Sequence, residues 1–324
     1  MTKFYLCELI VAVASALTIP AALAQGVFPS KSVTLIVPYG AGGSADVMAR
    51  SLADKLSKSW SVAVIVENRT GGNGIVATQA LMRSPADGHS IMMQLTGIIQ
   101  NASLYKKLPY DPFNDVTPVT QIGTQAMGLA VSTQSPHKDV KSLIGWLSND
   151  PGRGSYGSFG AGSTGHIFGE LLRSTAGSNM PHVAYRGEMP MIPEIMTGRV
   201  ELGFVSAATA AERGKDGTLR ILAVTGPTRQ DALPNVPTMT EMGLKGFDLV
   251  GWYGLFVPRG TPTTTVERIA TDVRAALSRP EMIYRFRQLA IEPKGTTPKQ
   301  FEGIMREDFS RWDALIKRFN IAIE

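Results

Sequence analysis

Two stretches hold the residue types that could do chemistry. One carries Gly40, Gly42 and Gly43 with Ser44 and Asp46; the other carries Gly157, Gly160, Gly162 and Gly165 with Ser158, Ser163, Thr164 and His166. Glycines and hydroxyls at the start of a helix make an anion site, because the first backbone N–H groups have no internal partner and a missing Cβ lets a ligand approach them. The chemistry is binding of an anion by neutral donors. An aspartate aimed inward would repel that anion, so Asp46 or Ser44 is expected to cap the helix. The plainer alternative is that the glycines only turn the chain. Nucleophilic catalysis fits poorly: Ser163 precedes His166 by one helical turn, but Ala161 stands where a hydrolase elbow has glycine. Histidines 89, 137, 166 and 182 show no spacing of three or four, which argues against a metal helix. No Gly-Lys-Ser/Thr phosphate loop occurs, and the glycines of 157–165 are not read as a dinucleotide fingerprint, which disfavours nucleotides.

The elements around these loops are α/β. A β-branched run at 33–37 leads through the first loop to a helix with Met48, Ala49, Leu52, Ala53 and Leu56 at helical spacing. A strand at 62–66, a second glycine loop (Gly71, Gly72, Gly74), a helix and a strand at 90–95 follow. Strand–helix–strand spacing of this kind predicts parallel pairing, with ligands at the carboxyl ends of the strands, where Thr96 also falls. Residues 104–123 hold three prolines without a sustained period and read as a connection to a second α/β unit. That unit contains the 155–166 loop, strands near 182–185, 202–204 and 221–225, and no detected internal repeat. A strand at 250–257 and two amphipathic helices complete the chain; Phe301, Met305, Phe309, Trp312, Ile316 and Phe319 form a stripe read as core packing.

The chain has 324 residues, 44% hydrophobic and 18% charged, enough for two globular domains. Residues 1–24 read as a secretory signal peptide: Lys3, an apolar run and Ala22-Leu23-Ala24 before Gln25. The single cysteine, Cys7, lies in that segment, so the mature chain is expected to have no disulfide, thiolate ligand or cysteine nucleophile. The formal charge of +5 suits an anionic ligand, but the basic residues are scattered and form no nucleic-acid surface.

Several blocks together are familiar: VPYGAGGSAD, VENR, PADG, LPYD, GSFGAGSTGH, VAYRG, LPNVPTMTEMG and WYGLFVPRGTP. In order and spacing they resemble the Bug-type substrate-binding proteins of tripartite tricarboxylate transporters, over nearly the whole mature chain. The resemblance implies a two-lobed α/β periplasmic binding protein of type II topology, with a cleft between the lobes and two crossing segments. Lobe 1 would comprise 25–125 and 228–324, and lobe 2 126–227. It implies capture of a small organic acid and delivery to membrane permease subunits, by a monomer in the periplasm of a Gram-negative bacterium, with no cofactor, metal or catalytic residue.

Carried over position by position, the expected ligand contacts are Tyr39, Ala41, Gly42, Gly43, Ser44 and Asp46 in one lobe and Ser158, Gly162, Ser163, Thr164 and His166 in the other. Thr96, Tyr185, Val205 and Ser206 complete the predicted site. The chain departs from the family in one respect: Val205 follows Phe204 where the family usually has an aspartate. That absence argues against a ligand with a free ammonium group and for a less polar or purely anionic tail. Two competing readings are a ligand sensor for a signalling receptor and an exported enzyme on the same fold. The missing base, metal cluster and cysteine argue against the enzyme.

Overall fold

A computed structural model describes residues 28–323; the expected signal peptide lies outside the described residues. The first half runs β1 (Val33–Val37), α1 (Ser44–Trp60), β2 (Val64–Asn68), a short 3-10 turn (Gly72–Gly74), α2 (Ile75–Met82), β3 (Ser90–Leu95), α3 (Gly97–Leu104) and β4 (Val116–Gln125). The chain then passes through β5 (Met127–Ser132), α4 (Val140–Asn149), β6 (Tyr156–Ser158), α5 (Thr164–Thr175), β7 (His182–Ala184), α6 (Ile192–Met196), β8 (Leu202–Ser206), α7 (Ala207–Lys215) and β9 (Leu219–Val224). It returns as β10 (Gly251–Pro258), α8 (Thr263–Leu277), α9 (Pro280–Gln288), β11 (Glu292–Pro293) and α10 (Pro298–Arg318).

These strands form two sheets, ordered β11-β4-β10-β3-β1-β2 and β7-β6-β8-β5-β9. Each has a parallel trio (β2-β1-β3 and β7-β6-β8) beside an antiparallel strand contributed from across a crossing, β10 in one sheet and β5 in the other. This is the expected two-lobed arrangement. Parallel pairing follows from the helical crossovers, and it puts the loops after β1, β2 and β3, and after β6, β7 and β8, at the carboxyl edges of the two sheets.

Two features differ from the sequence expectation. Residues 116–125, inside and just past the stretch read as a connection, form a long strand paired along β10 from Val116↔Pro258 to Gln125↔Gly251. Pro118 is tolerated there at an irregularity, opposite Phe256 beside a register shift, where the lost N–H does not break a regular ladder. The second crossing is predicted near 228, yet the chain beyond Val224 stays with the second sheet: Thr238 bridges Val224, and Gly226 N–H donates to Phe247 C=O at 2.7 Å. We place the return crossing at 248–251, where Gly251 enters the first sheet.

Helix α1 buries the predicted face, with Met48, Ala49 and Leu52 fully enclosed. Helix α10 starts at a capping box in which Thr297 and Gln300 satisfy each other's backbone N–H, with Pro298 at its first position. Its apolar stripe is core, as expected. The Phe301 ring meets Trp252 of the first lobe edge-on at 5.1 Å, and Trp312 meets Phe168 of the second at 5.4 Å, so one helix packs on both lobes.

Candidate functional site

The facing carboxyl edges enclose a cavity of about 670 Å³. Tyr39, Gly43, Ser44 and Ala45 enter its wall after β1, Asn73 after β2, and Thr96 and Gly97 after β3. The second sheet supplies Phe159–Ala161, Ser163 and Thr164 after β6, Gly187 and Glu188 after β7, and Ser206 at the end of β8. Another cavity, of about 500 Å³ between Phe113, Arg259, Lys299 and Glu302, contains none of the glycine-loop residues.

The two loops prove to be one motif used twice. Tyr39-Gly40-Ala41-Gly42-Gly43-Ser44-Ala45-Asp46 aligns residue for residue with Phe159-Gly160-Ala161-Gly162-Ser163-Thr164-Gly165-His166. This local repeat escapes the sequence reading because only eight residues share it. In each copy the third helical residue reaches back to the loop: Gly42 N–H donates to Asp46 Oδ2 at 2.9 Å, and Gly162 N–H to His166 Nδ1 at 3.0 Å. Gly42 and Gly162 both have positive φ, +87° and +72°, which explains the glycine. Gly160, Gly162 and Gly165 also stand at the Gly-x-Gly-x-x-Gly spacing of a dinucleotide turn, correcting the reading above. A Cβ on Gly165 would lie 2.8 Å from the Phe159 ring and 3.3 Å from Phe204 C=O of β8, so this last glycine permits close helix–strand packing.

The motif leaves donors free where the ligand would lie. Among the described residues the N–H groups of Ser44 and Ala45, at the start of α1, have no hydrogen-bond partner, and Gly43 offers no side-chain cap. At α5 the Ser163 hydroxyl caps His166 N–H at 3.3 Å. The Thr164 hydroxyl accepts a long bond, 3.4 Å, from Gln100 Nε2 of the other lobe. The lobes also touch where Gly162 faces Leu104 and Ile323; the latter is held by its N–H to Leu104 C=O at 2.9 Å.

Of the predicted residues, Tyr39, Gly43, Ser44, Thr96, Ser163, Thr164 and Ser206 line the cavity, whereas Ala41, Gly42, Asp46, Ser158, Gly162, His166, Tyr185 and Val205 do not. The second group has other work. Ala41 and Gly42 sit exposed at the loop tip. Asp46 is buried and takes Gly42 N–H, Arg50 Nε at 2.9 Å and Asn68 Nδ2 at 3.0 Å; the Arg50 bond foremost holds its carboxyl down to about 2. It anchors the loop and does not cap α1 through the N-cap position. Ser158 is fully buried against His182, their Oγ and Nε2 2.7 Å apart. His166 stacks on His182 at 3.8 Å; burial keeps both rings neutral at lowered pKa, His182 at about 4. Tyr185 and Val205 pack in an apolar cluster with Ala130, Met191 and Ile192. Thr96, though lining, spends its hydroxyl on Trp252 N–H at 2.7 Å.

The sequence reading missed Glu188. Its Oε1 accepts Ser206 N–H at 2.5 Å, at the N-cap of α7. Burial pushes its carboxyl up, against the pull of donors on Ser206 and Thr209. An acid therefore does stand in this wall, supplied from the loop after β7, although Val205 occupies the position where the family usually has aspartate. The available signal was Arg186-Gly187-Glu188, an acid in a strand-end loop.

Residues 48–321 match the family model described as tripartite tricarboxylate transporter family receptor. A protein of Pseudomonas sp. (strain P51) from the tcbD-tcbE intergenic region is 32% identical over 295 residues, 91% of this chain and 88% of the relative. The structure of R. palustris Rpa4515 with adipate shares 32% identity at a TM-score of 0.82, covering 91% of this chain and all of that one. The structure of the periplasmic binding protein BugD shares 28% identity at a TM-score of 0.79, covering 91% and 100%. With the doubled glycine motif and the paired sheets, these matches establish that the chain belongs to the receptor family of tripartite tricarboxylate transporters, the Bug-type binding proteins.

Proposed function

We propose that this protein captures a small organic acid in the interlobe cavity, in the periplasm, and hands it to the membrane subunits of a tripartite transporter, acting as a monomer. The observation that carries the reading is the doubled motif, which aims two helix starts at one cavity. Free N–H groups at Ser44 and Ala45 and the hydroxyls of Ser163 and Thr164 stabilise a carboxylate with dipoles alone, so no buried counter-charge is left stranded when the ligand departs. The adipate-bound relative supports the ligand class. Contacts from both lobes give a closing mechanism: the ligand meets one edge first, and closure adds Thr164, Gln100 and the Gly162–Ile323 contact.

A thermal-melt screen of the purified protein against mono-, di- and tricarboxylates, amino acids and sugars tests the reading. A ligand at about one hundred times its dissociation constant adds roughly 2.7 kcal/mol. A raised midpoint with an organic acid supports the proposal, and a rise only with neutral sugars would sink it. Delivery is tested by acid uptake in cells that carry or lack this chain beside the membrane subunits.

A further inference from the structure

We infer that Glu188 is a specificity determinant of the cavity: its carboxylate makes the wall at the start of α7 an acceptor for a ligand hydroxyl or ammonium group and disfavours a second carboxylate there. The inference rests on reading the cavity as an organic-acid site.

Of the helices that begin at this cavity, α1, α5 and α7 are not equivalent. At α1 the first N–H groups are open, and at α5 the Thr164 hydroxyl is only weakly engaged. At α7 the place an anion would take is already filled by the chain's own Glu188, bound through Oε1 to Ser206 N–H. In its ionised form, which the donors on Ser206 and Thr209 favour against the effect of burial, Glu188 has about four acceptor sites and no donor, so Oε2 then receives a hydrogen bond and gives none.

Among the described residues Glu188 forms no ion pair: each Lys, Arg and His in a salt bridge has another partner. A largely enclosed carboxylate without a cation is costly. A ligand donor that reaches it offsets that cost, and a ligand carboxylate adds to it. Tyr253, in the same wall, gives its hydroxyl proton to Gln125 Oε1 at 2.9 Å and so does not satisfy Glu188. The position fits this role on general grounds. In dinucleotide-binding units built as strand–glycine loop–helix–strand, an acid near the end of the second strand accepts the ribose hydroxyl, and Glu188 stands at the comparable place, just beyond β7 after the Gly-x-Gly-x-x-Gly loop.

The test is calorimetry with a set of monocarboxylates matched in length: unsubstituted, hydroxyl-bearing, ammonium-bearing and carrying a second carboxylate. The wild-type chain is expected to bind the best hydroxyl or ammonium analogue at least about tenfold more tightly than the dicarboxylate of equal length, the ratio expected for a hydrogen bond to a charged group. Glu188→Gln is expected to cut that preference about tenfold. A loss concentrated on the ammonium analogue identifies a cationic ligand group, and a smaller, even loss a hydroxyl. A wild-type preference for the dicarboxylate, or an unchanged ranking in the variant, overturns the inference; if the variant does not fold, the wild-type ranking alone decides. Binding of acids without a donor preference refutes Glu188 and leaves the organic-acid reading standing. Binding of no acid at all removes both.

Discussion

Replacing Asp46 by asparagine separates two roles that a binding-site aspartate could have. The side chain is 3% exposed and anchors the first glycine loop through Gly42 N–H, Arg50 and Asn68. Asparagine keeps the shape and can still accept from Gly42, but it loses the charge that holds Arg50. The drop of the carboxyl from 3.8 to about 2 corresponds to about 2.4 kcal/mol at 1.36 kcal/mol per unit. Arg50 is 54% exposed, so solvent screening reduces this to about 1–2 kcal/mol. The sign follows from the direction of the shift. A depressed carboxyl contributes its stability in full above the unfolded value near 3.8 and loses it as pH falls through about 2. Urea denaturation of both proteins at pH 7 and at steps down to about pH 2.5 is the assay. Asp46→Asn should be less stable by about 1–2 kcal/mol at pH 7, with the difference shrinking in acid, and its ligand affinity should fall only modestly through the loosened loop. Equal stability at pH 7, together with a large loss of affinity, would refute the anchoring role and return Asp46 to the ligand's first contacts.

The glycines of the doubled motif respond differently to alanine. At Gly162 a Cβ would lie 2.5 Å from Ile323 Cδ1 and 3.1 Å from Leu104 Cδ1, so Gly162→Ala should hold the lobes apart and weaken ligand binding; at Gly42 the space is open and only the left-handed backbone resists, costing about 1–2 kcal/mol. Equal affinity of the two variants by calorimetry would remove the interlobe contact from the mechanism. Thr164→Ala should weaken acid binding by about 1.5–3 kcal/mol if its hydroxyl donates to the charged carboxylate, or about 0.5–1.5 kcal/mol if it makes one ordinary hydrogen bond; unchanged affinity excludes that hydroxyl from the site. Because His166 and His182 are held neutral, the unfolded chain takes up protons that the folded chain refuses. Stability should be level above about pH 6.5 and fall towards about pH 4, and His182→Gln should flatten the melting-midpoint profile there. A wild-type midpoint that is flat through this window contradicts the stacked neutral pair.

What could be read in the chain was what depends on local order. Apolar spacing at three and four gave α1 and α10, β-branched runs gave β1 and β2, and glycine loops directly after strands gave the cavity edge. Glycine-rich turns and the partnerless first N–H groups of a helix are local properties, so the anion-type turns were visible before any packing was known. The long strand β4 was not, because its proline breaks the pattern and its ladder partner, β10, lies far along the chain.

Which side chains reach the cavity was decided by tertiary structure. The motif specifies eight residues in each lobe, but nothing in their order says that the N–H groups of Gly42 and Gly162 face inward to Asp46 and His166, while those of Ser44 and Ala45 stay open. Strand direction turns Val205 into an apolar core, and the loop after β7 brings Glu188 to the start of α7. The sequence alone thus determined the α/β class and the two anion-type turns, because backbone conformation and helix ends are set by neighbouring residues. Only the tertiary structure decided where the charges stand, because a carboxylate's role depends on which distant donors and helix ends meet it.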